Sequence, residues 1–132
     1  MSAIEAPYLM FLGDAPDQLA AKTAFGVKFW RPEKCLGQFR LPGCKADLGL
    51  PDMTVAEAKA AGAKTLVVGA ANRGGVISDA WIATLTEAIE AGFDVASGLH
   101  NLLRDRSELV EAAEKAGTTL FDVRVPTVDY PI

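Results

Sequence analysis

The sequence has 132 residues, 50% of them hydrophobic, and a formal net charge of -4, which together are typical of one globular domain with its own core. The modest acidic balance argues against a nucleic-acid-binding surface, which needs a basic face, and favours a small-molecule substrate. The chain contains no stretch of about 18 apolar residues and no charged segment before an apolar run, so we expect a cytoplasmic protein without a membrane partner.

The first strand and the first helix are predicted from residues 8–26. The apolar run YLMFLG at residues 8–13 predicts a buried strand, and Asp14 directly after it is a candidate helix cap. We expect the helix that follows to end at Gly26, because glycine commonly ends helices.

A second strand is predicted over residues 35–41, CLGQFRL, and a polar loop follows it. Cys35 lies at the start of this strand and Cys44 just beyond its end. At roughly 3.3 Å per residue, an extended segment keeps the two thiols too far apart for a disulfide. We therefore expect both cysteines to be reduced.

Thr54 and Glu57 have the spacing of a capping box, in which each side chain satisfies a backbone amide of the other residue. This signature predicts a short helix that is closed by Gly62. Residues 65–71 then predict a third strand.

The helix after the third strand is predicted to begin with Ser78 or Asp79 as its cap and to end before Gly92. A fourth strand is predicted over residues 94–99. The apolar residues that share one face of the helix are Ile82, Leu85 and Ile89.

Ser107 is predicted to cap the last helix, which ends before Gly117, and residues 119–123 supply a fifth strand. Strands that alternate with glycine-terminated helices are typical of a parallel sheet with right-handed crossovers. We predict an α/β fold, a Rossmann-like three-layer αβα sandwich with a five-stranded parallel sheet in the order 3-2-1-4-5. Residues 1–125 form this domain, and residues 126–132, with two prolines, are expected to begin a linker to a further domain.

Ligands of such sheets bind beyond the carboxyl ends of the strands, near the point where the strand order reverses. Glycines and polar residues at or after the ends of the predicted strands are therefore the candidate binding residues. They are Gly13, Asp14, Arg40, Gly43, Lys45, Asp47, Gly69, Asn72, Arg73, Gly74, Gly75, Ser97, Gly98 and Arg124.

The segment LVVGAANRGG at residues 66–75 is the strongest of these candidates, because a buried strand there runs into a glycine-rich turn. Gly74 and Gly75 allow backbone amides to approach a ligand, and Arg73 can grip an anion with two hydrogen bonds. The alternative is that the glycines only make a tight turn and that Arg73 is solvated.

The usual cofactor signatures are absent from the sequence. The first turn lacks the GxGxxG fingerprint, and it places Asp14 and Asp17 where a pyrophosphate needs backbone amides. No P-loop of the form GxxxxGK[ST] occurs, and one histidine with two separated cysteines offers no metal-ligand spacing. We therefore predict neither a nicotinamide cofactor nor a metal.

His100 is the candidate catalytic residue, because the single histidine lies at the predicted end of the fourth strand, where a general base would be placed. The alternative is a partly exposed structural histidine.

Cys44 beside Lys45 is either a thiolate nucleophile or an inert buried cysteine. Lys45 and Asp47 either contact a ligand or are solvated. Trp81 either walls a pocket or packs its helix against the sheet or another domain.

Four segments carry a resemblance to a known family. They are YLMFLGDAPDQLAAKTAFGV, GQFRLPGCKADLGLPDMT, AGAKTLVVGAANRGGVI and AGFDVASGLHNLL. With these segments the chain closely resembles the N-terminal Rossmann-like domain of the D-glutamate N-acetyltransferase family, long catalogued as a domain of unknown function. The resemblance covers nearly the whole chain.

The resemblance implies a bacterial enzyme that transfers an acetyl group from acetyl-CoA to the amine of D-glutamate in D-amino acid catabolism. Family members continue past a linker into a C-terminal P-loop-like domain, so this chain would contribute part of a composite site, and we expect a homo-oligomer. The alternatives are a non-catalytic oligomerisation or scaffold module and, with the fingerprint missing, a nicotinamide oxidoreductase.

Amine acetylation needs a group that accepts a proton from the amine and donors for the tetrahedral oxyanion. His100 is the candidate for the first role, and the amides of the glycine-rich turn are candidates for the second. The guanidinium groups that suit the two carboxylates of glutamate are those of Arg40, Arg73 and Arg124.

Overall fold

The computed structural model describes residue 4 and residues 6–15, 22–69, 79–97 and 103–122. The strands in this part of the chain are β1 (Tyr8–Gly13), β2 (Cys35–Arg40), β3 (Thr65–Val68), β4 (Asp94–Ser97) and β5 (Leu120–Asp122). The helices are α1 (Lys22–Trp30), α2 (Val55–Ala60), α3 (Asp79–Glu90) and α4 (Ser107–Ala116), with short 3-10 turns at Pro32–Lys34 and Leu103–Asp105.

The strands form one parallel sheet of five strands in the order β2-β1-β3-β4-β5. The predicted Rossmann-like fold class is confirmed. The order differs from the predicted 3-2-1-4-5 in the position of β3, which lies between β1 and β4 and leaves β2 at the edge. The reason is burial: all four residues of β3 are buried, as in a central strand, whereas both ends of β2 are half-exposed.

The helices cover both faces of the sheet. Right-handed crossovers place α1 on one face and α2, α3 and α4 on the other. On the second face α3 packs against α4, and the Lys59 Nζ atom of α2 lies 5.6 Å from the ring centre of Phe93, which precedes β4. The buried face of α3 includes Ile82, Leu85 and Ile89, as the sequence predicts.

Two predicted helix ends are confirmed in detail. The Glu57 amide donates to Thr54 Oγ1 at 3.1 Å, and the Thr54 amide donates to Glu57 Oε1 at 2.9 Å, which completes the capping box. Gly117 follows α4 in the left-handed conformation, with φ of 72°. Local sequence chemistry therefore decides these two ends.

Two other predicted helix ends are wrong. The first helix passes through Gly26 and ends at Trp30, just before Arg31 and Pro32, because a proline disfavours helical geometry in the residue before it. The cap of α4 is Arg106, and Ser107 is already the first helical residue. The Arg106 carbonyl accepts hydrogen bonds from the amides of Leu109 and Val110, which places the start of the helix there.

The predicted strand bounds hold to within a few residues where they can be compared. β1 matches its prediction, and β2 ends one residue earlier, at Arg40. Residues 70–71, 78, 98–99, 123 and 126–132, which carry the other predicted ends and the predicted linker, lie outside the described residues. Cys35 and Cys44 are free cysteines. In the described ranges no helix is long and apolar enough to cross a membrane.

The outer edge of β2 is partly covered by residues 51–53. The Gln38 amide donates to the Pro51 carbonyl oxygen, and the Met53 amide donates to the Gln38 carbonyl oxygen, each at 2.9 Å. The close approach depends on Gly37, since a Cβ atom at this position would lie 2.7 Å from Met53 Sδ and 2.9 Å from the Pro51 oxygen.

Candidate functional site

The strand order places the switch point of the sheet between β1 and β3. Gly13 ends β1, and the Gly69 amide directly after β3 donates to the carbonyl oxygen of Phe11 at 3.0 Å. Three residues that the sequence predicts as separate candidates therefore lie at the same edge of the sheet: Gly13, Asp14 and Gly69. We call this region the switch-point edge.

Gly13 is required because a tryptophan packs directly on it. Its φ is 57°, and a Cβ atom there would lie 2.5 Å from the indole ring of Trp81. Trp81, in the first turn of α3, is fully buried and meets the Phe11 ring edge-on at 5.1 Å between ring centres. Of the two interpretations of Trp81, the geometry therefore supports the second: this side chain packs α3 against the sheet.

The indole of Trp81 also fixes the carboxylate of Asp14. Trp81 Nε1 donates to Asp14 Oδ1 at 3.0 Å, although Asp14 as a whole residue is exposed. The neighbouring backbone is held by the loop after β2, because the Leu41 amide donates to the Gly13 oxygen and the Lys45 amide donates to the Ala15 oxygen, each at 2.8 Å. The backbone on each side of Asp14 is thus held in place by a hydrogen bond from this loop.

Gly69 is required by the close approach of α1. The Ala24 amide donates to the Gly69 carbonyl oxygen at 3.0 Å, and a Cβ atom at position 69 would lie 2.9 Å from Ala24 Cα. A glycine here lets the helix sit directly on the end of β3. The need for this glycine is therefore explained by packing within the domain.

Four polar side chains at and after the end of β2 are joined by hydrogen bonds and ion pairs. We call them the β2 cluster: Gln38, Arg40, Asp47 and Asp52. Arg40 Nε and Nη2 each donate to one carboxylate oxygen of Asp52 at 2.8 Å, and Arg40 Nη1 lies 3.6 Å from Asp47 Oδ2. The hydrogen bonds from Arg40 lower the pKa of Asp52, and the Gln38 side chain and the Gly49 amide lower the pKa of Asp47.

Gln38 is the buried centre of the β2 cluster, with 1% of its surface exposed. Its Nε2 donates to Asp47 Oδ1 at 2.9 Å and to Asp52 Oδ1 at 3.2 Å, while its Oε1 accepts the Leu48 amide at 2.8 Å. Sequence analysis missed Gln38 and Asp52, because a glutamine in a strand of mixed pattern looks like a solvent-facing residue. The predicted ligand contacts of Arg40 and Asp47 stay predictions, and both side chains have partners inside the domain.

A cleft of about 580 Å³ opens beside the β2 cluster, and Arg40, Leu41, Gly43, Cys44, Met53 and Glu57 are among its lining residues. Gly43 makes the turn at its rim with φ of 87°. Cys44 is half-buried, and its Sγ lies 3.5 Å from the Ala46 carbonyl oxygen. Lys45 is exposed. The cleft brings the predicted residues at positions 40, 43 and 44 together.

The ends of β4 and β5 form the far part of the carboxyl edge. Ser97 is buried and pairs in register with Asp122. The Asp122 carboxylate accepts the Leu103 amide at 2.6 Å and the Arg104 amide at 3.3 Å, so it holds the 3-10 turn before α4. Asp122 was not among the candidates, because the amides that identify its role lie 19 and 18 residues earlier in the chain.

Seven of the predicted site residues lie outside the described residues. They are Asn72, Arg73, Gly74, Gly75, Gly98, His100 and Arg124. Their predicted roles stay predictions. In the described ranges no group of three or more histidine, cysteine, aspartate or glutamate side chains is placed to hold a metal ion.

A family model described as a domain of unknown function, DUF1611_N, with a Rossmann-like fold, matches residues 39–126. The chain belongs to this family. Among proteins of known name, a D-glutamate N-acetyltransferase from Tritonibacter scottomollicae is 65% identical over 129 residues, or 98% of this chain. One from a Pseudoalteromonas species is 42% identical over 127 residues, or 96% of this chain.

The chain spans only 39% and 38% of the lengths of these two relatives. Among solved structures, a DUF1611 family protein from Anabaena variabilis superposes with a TM-score of 0.74 at 20% identity, over 96% of this chain and 39% of that one. A homoserine dehydrogenase from S. aureus superposes with a TM-score of 0.51 at 14% identity, over 89% of this chain and 33% of that one. At these identities the two structures establish the fold alone.

Proposed function

We propose that this DUF1611_N domain is the N-terminal part of an enzyme that acetylates the amine of D-glutamate with acetyl-CoA. The observation that carries the proposal is the 65% identity to a D-glutamate N-acetyltransferase over nearly the whole chain. The second relative of the same name, at 42% identity, supports the same assignment. The oxidoreductase alternative has only a likeness of fold, to the homoserine dehydrogenase, in its favour.

The reaction joins the amine nitrogen to the thioester carbonyl carbon and breaks the bond from that carbon to sulfur. The substrate ammonium group loses two protons, of which one reaches the departing thiolate of CoA and the other reaches solvent. The protein must therefore bind an ammonium group and two carboxylates, accept a proton and stabilise an oxyanion. We assign His100 the proton transfer and the glycine-rich turn the oxyanion.

We further propose that the active site is composite. This is supported by the length of the relatives, which are more than twice as long as this chain and so have room for a further domain that contributes to the site. The Arg40 guanidinium is neutralised by Asp52 at 2.8 Å, which favours Arg73 and Arg124 over Arg40 as partners for the substrate carboxylates. We propose a cytoplasmic homo-oligomer as the working form.

The test is release of the CoA thiol by the full-length protein that contains this domain, supplied with acetyl-CoA and D-glutamate. We expect turnover with D-glutamate, and a fall of about 100- to 10,000-fold in kcat for His100→Ala if this histidine is the base. L-glutamate and the isolated 132-residue chain are the matched controls, and we expect little turnover from either. A folded full-length protein that releases no CoA with D-glutamate would contradict the proposal.

A further inference from the structure

We propose that Asp14 is the residue that binds the cationic amino group of the substrate, and that Trp81 positions its carboxylate for this purpose. The proposal rests on the proposed function and names the part of the site that recognises the ammonium group. Asp14 lies at the switch-point edge, where open parallel sheets bind their ligands.

The first support is the way in which the carboxylate is held. Trp81 is fully buried, so its indole N–H has a fixed direction, and it donates to Asp14 Oδ1 at 3.0 Å. In the part of the chain that the structure describes, this is the one partner of the Asp14 side chain, and Oδ2 accepts no hydrogen bond. Asp14 Oδ1 is thus fixed by Trp81, and Oδ2 can accept a hydrogen bond from a donor outside the described residues.

The second support is charge. Other carboxylates at this edge of the described structure are already used: Asp52 by Arg40, Asp47 by Gln38 and Asp122 by backbone amides. Asp14 has no ion pair with any cation in the described ranges, although it is exposed. A positioned carboxylate that pairs with no described cation suits a substrate ammonium group, because a charge-assisted hydrogen bond is about twice as strong as a neutral one.

A purely structural role for Asp14 requires only an acceptor for the indole. A buried tryptophan N–H needs a hydrogen-bond partner, and a neutral amide oxygen can also accept it. The negative charge is therefore the feature that packing leaves unexplained. Asp14→Asn keeps the acceptor and removes the charge, so it separates the two roles.

The experiment measures the KM values of the full-length protein for D-glutamate and for acetyl-CoA. For Asp14→Asn we expect the KM for D-glutamate to rise about 10- to 100-fold, since a hydrogen bond to a charged group is lost. We expect the KM for acetyl-CoA to stay within error of the wild type and the urea midpoint of unfolding to fall only slightly, because the hydrogen bond from Trp81 is kept in a neutral form. Glu87→Gln, which removes an exposed charge from the C-terminal half of α3, is the control and should change neither KM.

Trp81→Phe tests the positioning role, because phenylalanine keeps the aromatic contact and loses the N–H donor. We expect a smaller rise in the KM for D-glutamate, about 3- to 10-fold, with the KM for acetyl-CoA unchanged. Calorimetric titration of D-glutamate alone into each variant gives the same comparison without turnover.

Three results would overturn the role of Asp14: a KM for D-glutamate within twofold of wild type in a folded Asp14→Asn protein, equal rises in both KM values, or a loss confined to kcat. A wild-type protein that neither binds nor acetylates D-glutamate would instead overturn the proposed function. The wild-type measurement therefore distinguishes the two failures.

Discussion

The ends of β1 and β2 are neighbours in the sheet, yet their polar side chains are held in different ways. In the β2 cluster, Arg40 and its two carboxylates satisfy one another around a buried glutamine. At the switch-point edge, Asp14 is held by one buried indole, and its second oxygen has no partner in the described residues. The polar residues of the β2 cluster hold a loop, whereas the carboxylate of Asp14 is positioned without an ion pair to any described residue.

This difference shows that polar residues at the carboxyl edge of a sheet should be sorted by what already satisfies them. A charged group whose partners come from its own loop contributes to the shape of that loop. A charged group such as Asp14, which is held by one donor from the core, can still form a charge-assisted hydrogen bond to a ligand. Three changes in the chain test this contrast.

The largest effect is expected at Gly13, which ends β1 with a positive φ. Gly13→Ala should lower the free energy of unfolding by about 2 to 5 kcal/mol, because the methyl group is strained by the left-handed backbone and collides with the Trp81 indole. Gly43→Ala is the control: its φ is also positive, but no atom lies within 4 Å of the added Cβ, so we expect a loss of about 1 kcal/mol. Urea unfolding measures both, and equal losses would contradict the crowding at the β1 end.

A smaller effect is expected for Gln38→Ala, at the centre of the β2 cluster. The change leaves the buried Leu48 amide without its acceptor and two carboxylates without a shared donor, so we expect a loss of about 2 to 3 kcal/mol. Asp47→Asn is the control, because it keeps the acceptor oxygen for Gln38 at an exposed position, and we expect a much smaller change in the urea midpoint. If the alanine variant is as stable as wild type, the cluster does not hold the loop.

The smallest effect is expected for Arg40→Gln, and it should depend on pH. Arg40 helps to lower the pKa values of Asp52 and Asp47 below the ordinary 3.8, so the folded chain binds fewer protons than the unfolded chain in that range. The stability from these pairs is complete above the ordinary pKa and is lost as pH falls through the lowered values. The urea midpoints of wild type and variant should therefore differ at pH 7 and converge toward pH of about 2.

Arg104→Gln is the matched charge control for this measurement, since Arg104 is exposed and its side chain has no acceptor among the described residues. Its midpoint should keep a constant offset from wild type over the same pH range. A gap for Arg40→Gln that is as wide at pH of about 2 as at pH 7 would show that its effect is not electrostatic.

The part of the fold that the sequence predicts well is the part that local chemistry decides. The apolar run of β1 and the capping box at Thr54 depend on neighbours within a few residues, and both are confirmed. The position of β3 in the sheet depends on which strands are buried on both faces, which the pattern of a single strand does not reveal.

The candidate site shows the same division. Placing Gly13, Asp14 and Gly69 at one edge required only the rule that ligands bind beyond strand ends. The partners of those residues, Trp81 and Ala24, lie far away in sequence and became visible only in the fold. Gln38 and Asp122 were missed because a buried polar residue in a strand is identified by its tertiary partners.

The covering of β2 by residues 51–53 has a consequence for association between molecules. An edge strand with open backbone groups can recruit a strand from another chain and start aggregation. At the middle of β2 the Gln38 amide and carbonyl already form hydrogen bonds with Pro51 and Met53. These two groups are therefore not available to a strand from another chain. Gly37 lets this cover approach closely, so its missing side chain helps to close this one position of the edge to a strand from another copy.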